Sequence, residues 1–237
     1  MDWERHDEPP ALNEGGVHIW RACLRQIVSA QLVLTDAERR RASGFLSADR
    51  RSAFTASRHL LRVLSGSYLG AEPLSIEITN GEQGKPRIAG SALEFNLSHS
   101  GDWALLAFAW RRLVGVDIEK VDRRGDRDRI VSRFFSEREL RAYRALAPEQ
   151  REIAFFDVWT RKEAFIKAHG KGVLLGLDRF DVDFAPNAPA ALLETRVQGD
   201  RTDRWMLDAL TVAPGYRAAI CVEIAPGEEL RRRIFAW

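Results

Sequence analysis

Phe155-Phe156-Asp157-Val158-Trp159-Thr160-Arg161-Lys162-Glu163-Ala164-Phe165-Ile166-Lys167-Ala168-His169-Gly170 is the stretch on which the reading of the chain turns. Its apolar residues recur at helical spacing, and Phe156, Trp159, Glu163 and Lys167 fall on one side of the helix. Two bulky aromatics mark that side as buried, yet the stripe ends in a carboxylate and an ammonium. Taken alone, Glu163 and Lys167 form an ordinary i, i+4 ion pair, worth about 0.2–0.5 kcal/mol. A functional reading needs carboxylates and cations elsewhere that this helix could join.

Upstream, Val116-Asp117-Ile118-Glu119 reads as a strand with Asp117 and Glu119 on one face and Val116 and Ile118 turned to the core. Side by side, two carboxylates repel, so they call for a cation or a shared proton. A hard divalent ion with oxygen ligands answers that need, and Mg²⁺ is commonly held by one or two carboxylates plus phosphates. The ordinary alternative is a solvated strand edge. Gly84-Lys85-Pro86 is a stiff turn bearing one cation. Phe95-Asn96-Leu97-Ser98-His99-Ser100-Gly101 places a histidine between two hydroxyls at a strand end. A serine hydrolase is disfavoured there: no Gly-x-Ser-x-Gly elbow is present, and neighbouring strand residues point apart.

The 237 residues are enough to bury a sizeable core, and 45% hydrophobic with 30% charged residues describes a globular protein. No apolar run reaches the roughly 18–20 residues of a membrane span, and the charged start Met1-Asp2-Trp3-Glu4-Arg5-His6 carries no secretion signal, so no membrane association is expected. Cys23 and Cys221, far apart in apolar surroundings, fit reduced thiols in a cytoplasmic protein. Thirty-one of the 36 basic residues are arginine, and the five lysines all lie in the middle of the chain. The arginines alternate with acids, as in Asp36 to Arg41 and Asp122 to Arg129, which argues for solvated surface and against nucleic-acid binding.

Strands are expected at Val17 to Cys23, Leu74 to Thr79, Leu93 to Leu97, Trp103 to Trp110, Val114 to Glu119, Phe180 to Phe184, Arg204 to Leu210 and Arg217 to Glu223. Capping boxes at Thr35-x-x-Glu38 and Ser136-x-x-Glu139 open helices, and a longer helix should run from Ala48 to Leu69 with Gly70 as its stop. Asn80 to Pro86 and Asp122 to Arg129 read as loops, and the tail from Gly227 carries no motif. Gly101-Asp102-Trp103-Ala104 is echoed by Pro214-Gly215-Tyr216-Arg217, each opening a strand after helices. The fold expected is α+β: two pseudo-symmetric subdomains, 1–112 and 113–237, each a small antiparallel sheet with a packed helix. An active-site cleft is expected between them.

In this order and spacing, Gly84-Lys85-Pro86, Phe95 to Ser100, Gly115-Val116-Asp117-Ile118-Glu119, Phe134-Phe135-Ser136-x-x-Glu139, Trp159 to Lys167 and Gly170-Lys171-Gly172 resemble the 4'-phosphopantetheinyl transferase superfamily, in its larger, surfactin-synthetase-activating (Sfp) type. The resemblance implies an Mg²⁺-dependent monomer that moves the 4'-phosphopantetheine arm of coenzyme A to a serine of an apo acyl or peptidyl carrier protein, releasing 3',5'-ADP. It implies that Asp117, Glu119 and Glu163 hold Mg²⁺ and that Glu163 takes the serine proton, directly or through water. Lys162 and Lys167 would face the diphosphate, with Lys167 stabilising the leaving group. Lys85, Pro86, Ser98 and His99 would line the nucleotide. A metal-bound Glu163 is a weak base, so its two roles compete. An Mg²⁺-dependent nucleotide or phosphoester hydrolase on the same carboxylates is the alternative.

Overall fold

The computed structural model describes residues 2–28, 33–81, 83–122, 127–185 and 188–237, and resolves into two compact units. The first holds β1 (Glu4–Arg5), β2 (Gly16–Cys23), α1 (Asp36–Ser43), α2 (Ala48–Leu69), β3 (Ile78–Asn80), β4 (Pro86–Ile88), β5 (Leu93–Ser100) and β6 (Trp103–Trp110). The last strand of the chain, β12 (Arg231–Ala236), also belongs to it. Its sheet has the order β1-β12-β2-β6-β5, with β12 parallel to both neighbours and the other pairs antiparallel. Helix α2 contributes Leu60, Leu61 and Leu64 to a core shared with Trp20, Phe95, Phe108 and Phe235.

Local signals set the ends of these helices. Thr35 and Glu38 form a reciprocal capping box on α1, and Ser47 caps α2 through the Arg50 amide. Gly70 ends α2 in the left-handed conformation, φ 60°. The strand expected at Leu74 to Thr79 is shorter than read: Pro73 opens a 3-10 turn through Ser75, and β3 begins only at Ile78. The loop expected from Asn80 to Pro86 is the connection of the β3–β4 hairpin, and its residue 82 lies outside the described residues.

In the second unit, β7 (Val114–Lys120) is followed by α3 (Arg127–Phe134), α4 (Glu137–Ala145) and α5 (Pro148–His169). Then come β8 (Phe180–Val182), β9 (Leu192–Thr195), β10 (Trp205–Ala209) and β11 (Tyr216–Glu223). Its main sheet is antiparallel, β10-β11-β7, with Asp117 opposite Ala219 and Glu119 opposite Arg217. The core gathers Phe135, Phe155, Phe156, Phe165, Phe180 and Trp205 around α5. The Ser136–Glu139 capping box forms as expected. Of the loop expected from Asp122 to Arg129, 123–126 lie outside the described residues and Arg127 onward is helix.

Both units repeat one order of elements: a strand, helices, then a hairpin whose second strand pairs with the opening strand on one side and with the hairpin's first strand on the other. In the first this is β2, α2, β5, β6; in the second it is β7, α5, β10, β11. The expected pair of small sheets, each with a packed helix, is therefore present. Two features depart from it. The sheet of the first unit is mixed, because the tail read as featureless supplies β12 in parallel pairing. The division is also not a single cut near residue 112, since 231–237 pack with the first unit and 83–85 with the second.

Candidate active site

Gly115 makes the site possible. A Cβ on it would lie 2.2 Å from the Ala164 carbonyl oxygen and 2.2 Å from the Ala168 amide nitrogen, so α5 rests directly on the β7 backbone. On a strand, residues 115, 117 and 119 share a face, so this contact turns Asp117 and Glu119 toward α5. The Lys167 ammonium donates to Asp117 Oδ1 at 2.6 Å. Asp117 is 3% exposed. Burial raises the Glu163 carboxyl above the usual carboxylate range; Lys167 pulls it down and the charge of Asp117 pushes it further up. Glu163, Lys167 and Asp117 thus share one electrostatic neighbourhood.

Trp159, Glu163 and Lys167 are each only partly buried, whereas most other residues of this part of α5 are buried. Of the stripe read as the buried side, Phe156 is buried as expected and the other three are the more accessible residues. This inversion relocates Lys162. Expected at the diphosphate, it is fully buried, with its ammonium 2.7 Å from Glu139 Oε2. It donates further to the carbonyl oxygens of Leu177, at 2.6 Å, and Phe180, at 2.7 Å. Glu139 also accepts from the Ser136 and Val182 amides, both at 2.9 Å. These oxygens satisfy the ammonium in the core, so Lys162 presents no charge to a ligand.

Lys85 is likewise used internally: its ammonium donates to the carbonyl oxygens of Val114, at 3.0 Å, and Ala168, at 3.2 Å. A cation at these carbonyls complements the C-terminal end of α5, which Gly170 closes at φ 79°. Pro86 begins β4 in the first unit. The turn expected over Ser98 to Asp102 is tighter than read. β5 runs through Ser100, pairing Ser98 with Leu105 and His99 with Ala104. Ser98 is buried and His99 exposed, so their side chains point to opposite faces of the strand.

Two contributors escaped sequence reasoning. Glu139 was explained by its capping box, which left its second partner, Lys162, unseen. Arg217 stands opposite Glu119 on β11, with its Nε 3.4 Å from Asp157 Oδ1. A single charge opening the otherwise apolar run Arg217-Ala218-Ala219-Ile220 was the available signal. As a donor set, Asp117, Glu119 and Glu163 fit Mg²⁺ by chemistry: all offer oxygen, and the charge of Asp117 against Glu163 is the repulsion a divalent ion would relieve. Among the described residues, no three histidine, cysteine or acidic side chains are gathered as a metal cage.

These features sit where the chain matches two family models: "4'-phosphopantetheinyl transferase superfamily" over residues 113–221 and "4'-phosphopantetheinyl transferase, N-terminal" over residues 18–111. The 4'-phosphopantetheinyl transferase HetI of a Nostoc species is 37% identical over 195 residues, 78% of this chain and 82% of its own. The 4'-phosphopantetheinyl transferase Sfp of Bacillus subtilis is 30% identical over 201 residues, 79% of this chain and 87% of its own. A holo-[acyl-carrier-protein] synthase structure from Thermotoga maritima overlaps 47% of this chain and 62% of its own at 22% identity, TM-score 0.36. The chain belongs to the 4'-phosphopantetheinyl transferase superfamily and is a transferase of the Sfp type. The hydrolase reading finds no support among these relatives.

Proposed function

We propose that the transfer catalysed by this enzyme, of the 4'-phosphopantetheine arm of coenzyme A to the serine hydroxyl of an apo acyl or peptidyl carrier protein, is carried by Asp117, Glu119, Glu163 and Lys167. The observation that supports this most directly is the charged group formed by β7 and α5: Lys167 on Asp117, with Glu163 in the field of both. In the reaction the serine oxygen bonds to the phosphorus bearing the pantetheine arm. The bond from that phosphorus to the ADP oxygen breaks, and 3',5'-ADP leaves. Such transfer depends on positioning and on neutralising developing charge. Asp117, Glu119 and Glu163 would hold Mg²⁺, which when bound supplies charge neutralisation at the diphosphate. Glu163, its proton affinity raised by burial, takes the serine proton directly or through water. Lys167 neutralises the oxygen of the departing ADP. Lys162 is left out of this set.

For the nucleotide, His99 is the proposed contact to its phosphate, exposed near the end of β5. The enzyme is proposed to act as a monomer in the cytoplasm, a setting in which its free cysteines, Cys23 and Cys221, stay reduced. Among the described residues no helix is long and apolar enough to cross a membrane.

The test is to incubate the protein with coenzyme A, Mg²⁺ and an apo carrier protein and to weigh the carrier. A gain of one phosphopantetheine unit is expected, and Asp117→Ala should abolish it while circular dichroism stays unchanged. Near-full activity of Asp117→Ala at limiting Mg²⁺ would remove Asp117 from the ligand set.

A further inference from the structure

We propose that Lys167 is a resident counter-ion at the metal position: its ammonium sits on Asp117 Oδ1, and a divalent ion at this carboxylate must compete with that charge until a diphosphate draws the ammonium away. This rests on the reading of Asp117, Glu119 and Glu163 as metal ligands.

The geometry gives the lysine this place. Its Nζ lies 2.6 Å from Asp117 Oδ1; the Asp117 side chain is 4% exposed and that of Lys167 28% exposed. The more exposed partner therefore stands on the buried one. Lys167 follows Glu163 by one helical turn, and its flexible four-carbon stem lets the ammonium move while the α5 backbone stays in place. The same ammonium offsets the negative charge on both carboxylates, since it acts on Glu163 as well. A divalent ion at Asp117 would set like charges side by side, so ion and ammonium compete for this carboxylate.

A diphosphate resolves the competition by offering the ammonium new oxygens. Lys167 then passes from carboxylate to diphosphate as the metal enters, so metal and coenzyme A favour each other's binding. That coupling is reciprocal by thermodynamic necessity. The residue expected to steady the leaving group thereby also makes the metal site selective for the substrate-bound enzyme.

Mn²⁺ binding to the full chain, followed by electron paramagnetic resonance of the free ion with and without coenzyme A, tests the idea without reading activity. The wild type should bind Mn²⁺ weakly alone and much more tightly with coenzyme A. Lys167→Met should bind Mn²⁺ alone roughly tenfold tighter than the wild type, equivalent to about 1.4 kcal/mol, and gain less from coenzyme A. Lys167→Gln serves as a second variant, with thermal unfolding as the check on folding. Unchanged Mn²⁺ affinity in both folded variants, with Asp117→Asn abolishing binding, would overturn the lysine's role and leave the ligand assignment standing. Wild-type affinity in Asp117→Asn would overturn the ligand assignment itself, and the proposal with it.

Discussion

Lys162 and Glu163 are neighbours in sequence, and the helix turns them about 100° apart. One is fixed in the core by Glu139; the other stays partly accessible beside Lys167. Replacing Lys162 with Met leaves Glu139 buried with no counter-ion, and burial already raises that carboxyl above its usual range. Lys162→Met should lose ~3–5 kcal/mol in urea unfolding, and the double variant with Glu139→Gln, which removes the buried charge and keeps an amide acceptor, should recover part of it. A second expectation concerns His18, which is buried, with Nδ1 2.8 Å from the Tyr68 hydroxyl, itself accepting from Trp20 Nε1 at 2.8 Å. Burial first, then the Arg233 cation, lowers its pKa from 6.5 to about 4, with Glu4 opposing. The unfolded chain therefore takes up this proton near pH 6.5 while the folded chain refuses it down to about 4, so stability falls as pH drops through that window. His18→Gln should flatten the slope of unfolding free energy between about pH 6.5 and 5, above the main carboxylate range. At this scale the structure brings Lys167 onto Asp117 with Glu163 beside them, whereas spacing alone read Glu163 and Lys167 as an ordinary ion pair. The inward turn of Lys162 was hidden because α5 is buried on most of its circumference, and periodicity does not tell one side from another there.

Helix α5 and strand β7 form one functional element, held together by the missing side chain at Gly115. Gly115→Ala forces a methyl group into the helix backbone itself, which cannot yield as a side chain would. A loss of about 1–3 kcal/mol, toward the upper end, is expected in chemical denaturation, together with reduced transfer as α5 moves off Asp117. Retention of full stability and activity would mean that the close approach is not needed. Most element ends were legible because capping chemistry is local: both capping boxes, Gly70 and Gly170 behave as their sequences say. The start of α5 at Pro148 was missed because its first turns are polar. β9 is short and only partly buried, so it leaves little alternation to read.

Across the whole molecule, the repeated order of strand, helix and hairpin was readable from a faint echo between two turn-and-aromatic segments. What could not be read was that the division closes over a sequence-distant strand. Three consecutive arginines, Arg231 to Arg233, look like a solvated tail, and all three are exposed; Phe235 alone is fully buried, against Trp20 at 4.7 Å. Pairing of that kind is set by the partner strand, so a local window does not contain it. The placement of β12 between β1 and β2 also bears on how the protein is made. A ribosome adds residue 236 more than two hundred additions after residue 5, yet the two are adjacent in the sheet. Until then β2 waits with one edge bare and β1 has no strand to join. The first unit is therefore closed only after the second has been made, and the nascent chain carries an open sheet edge until β12 arrives.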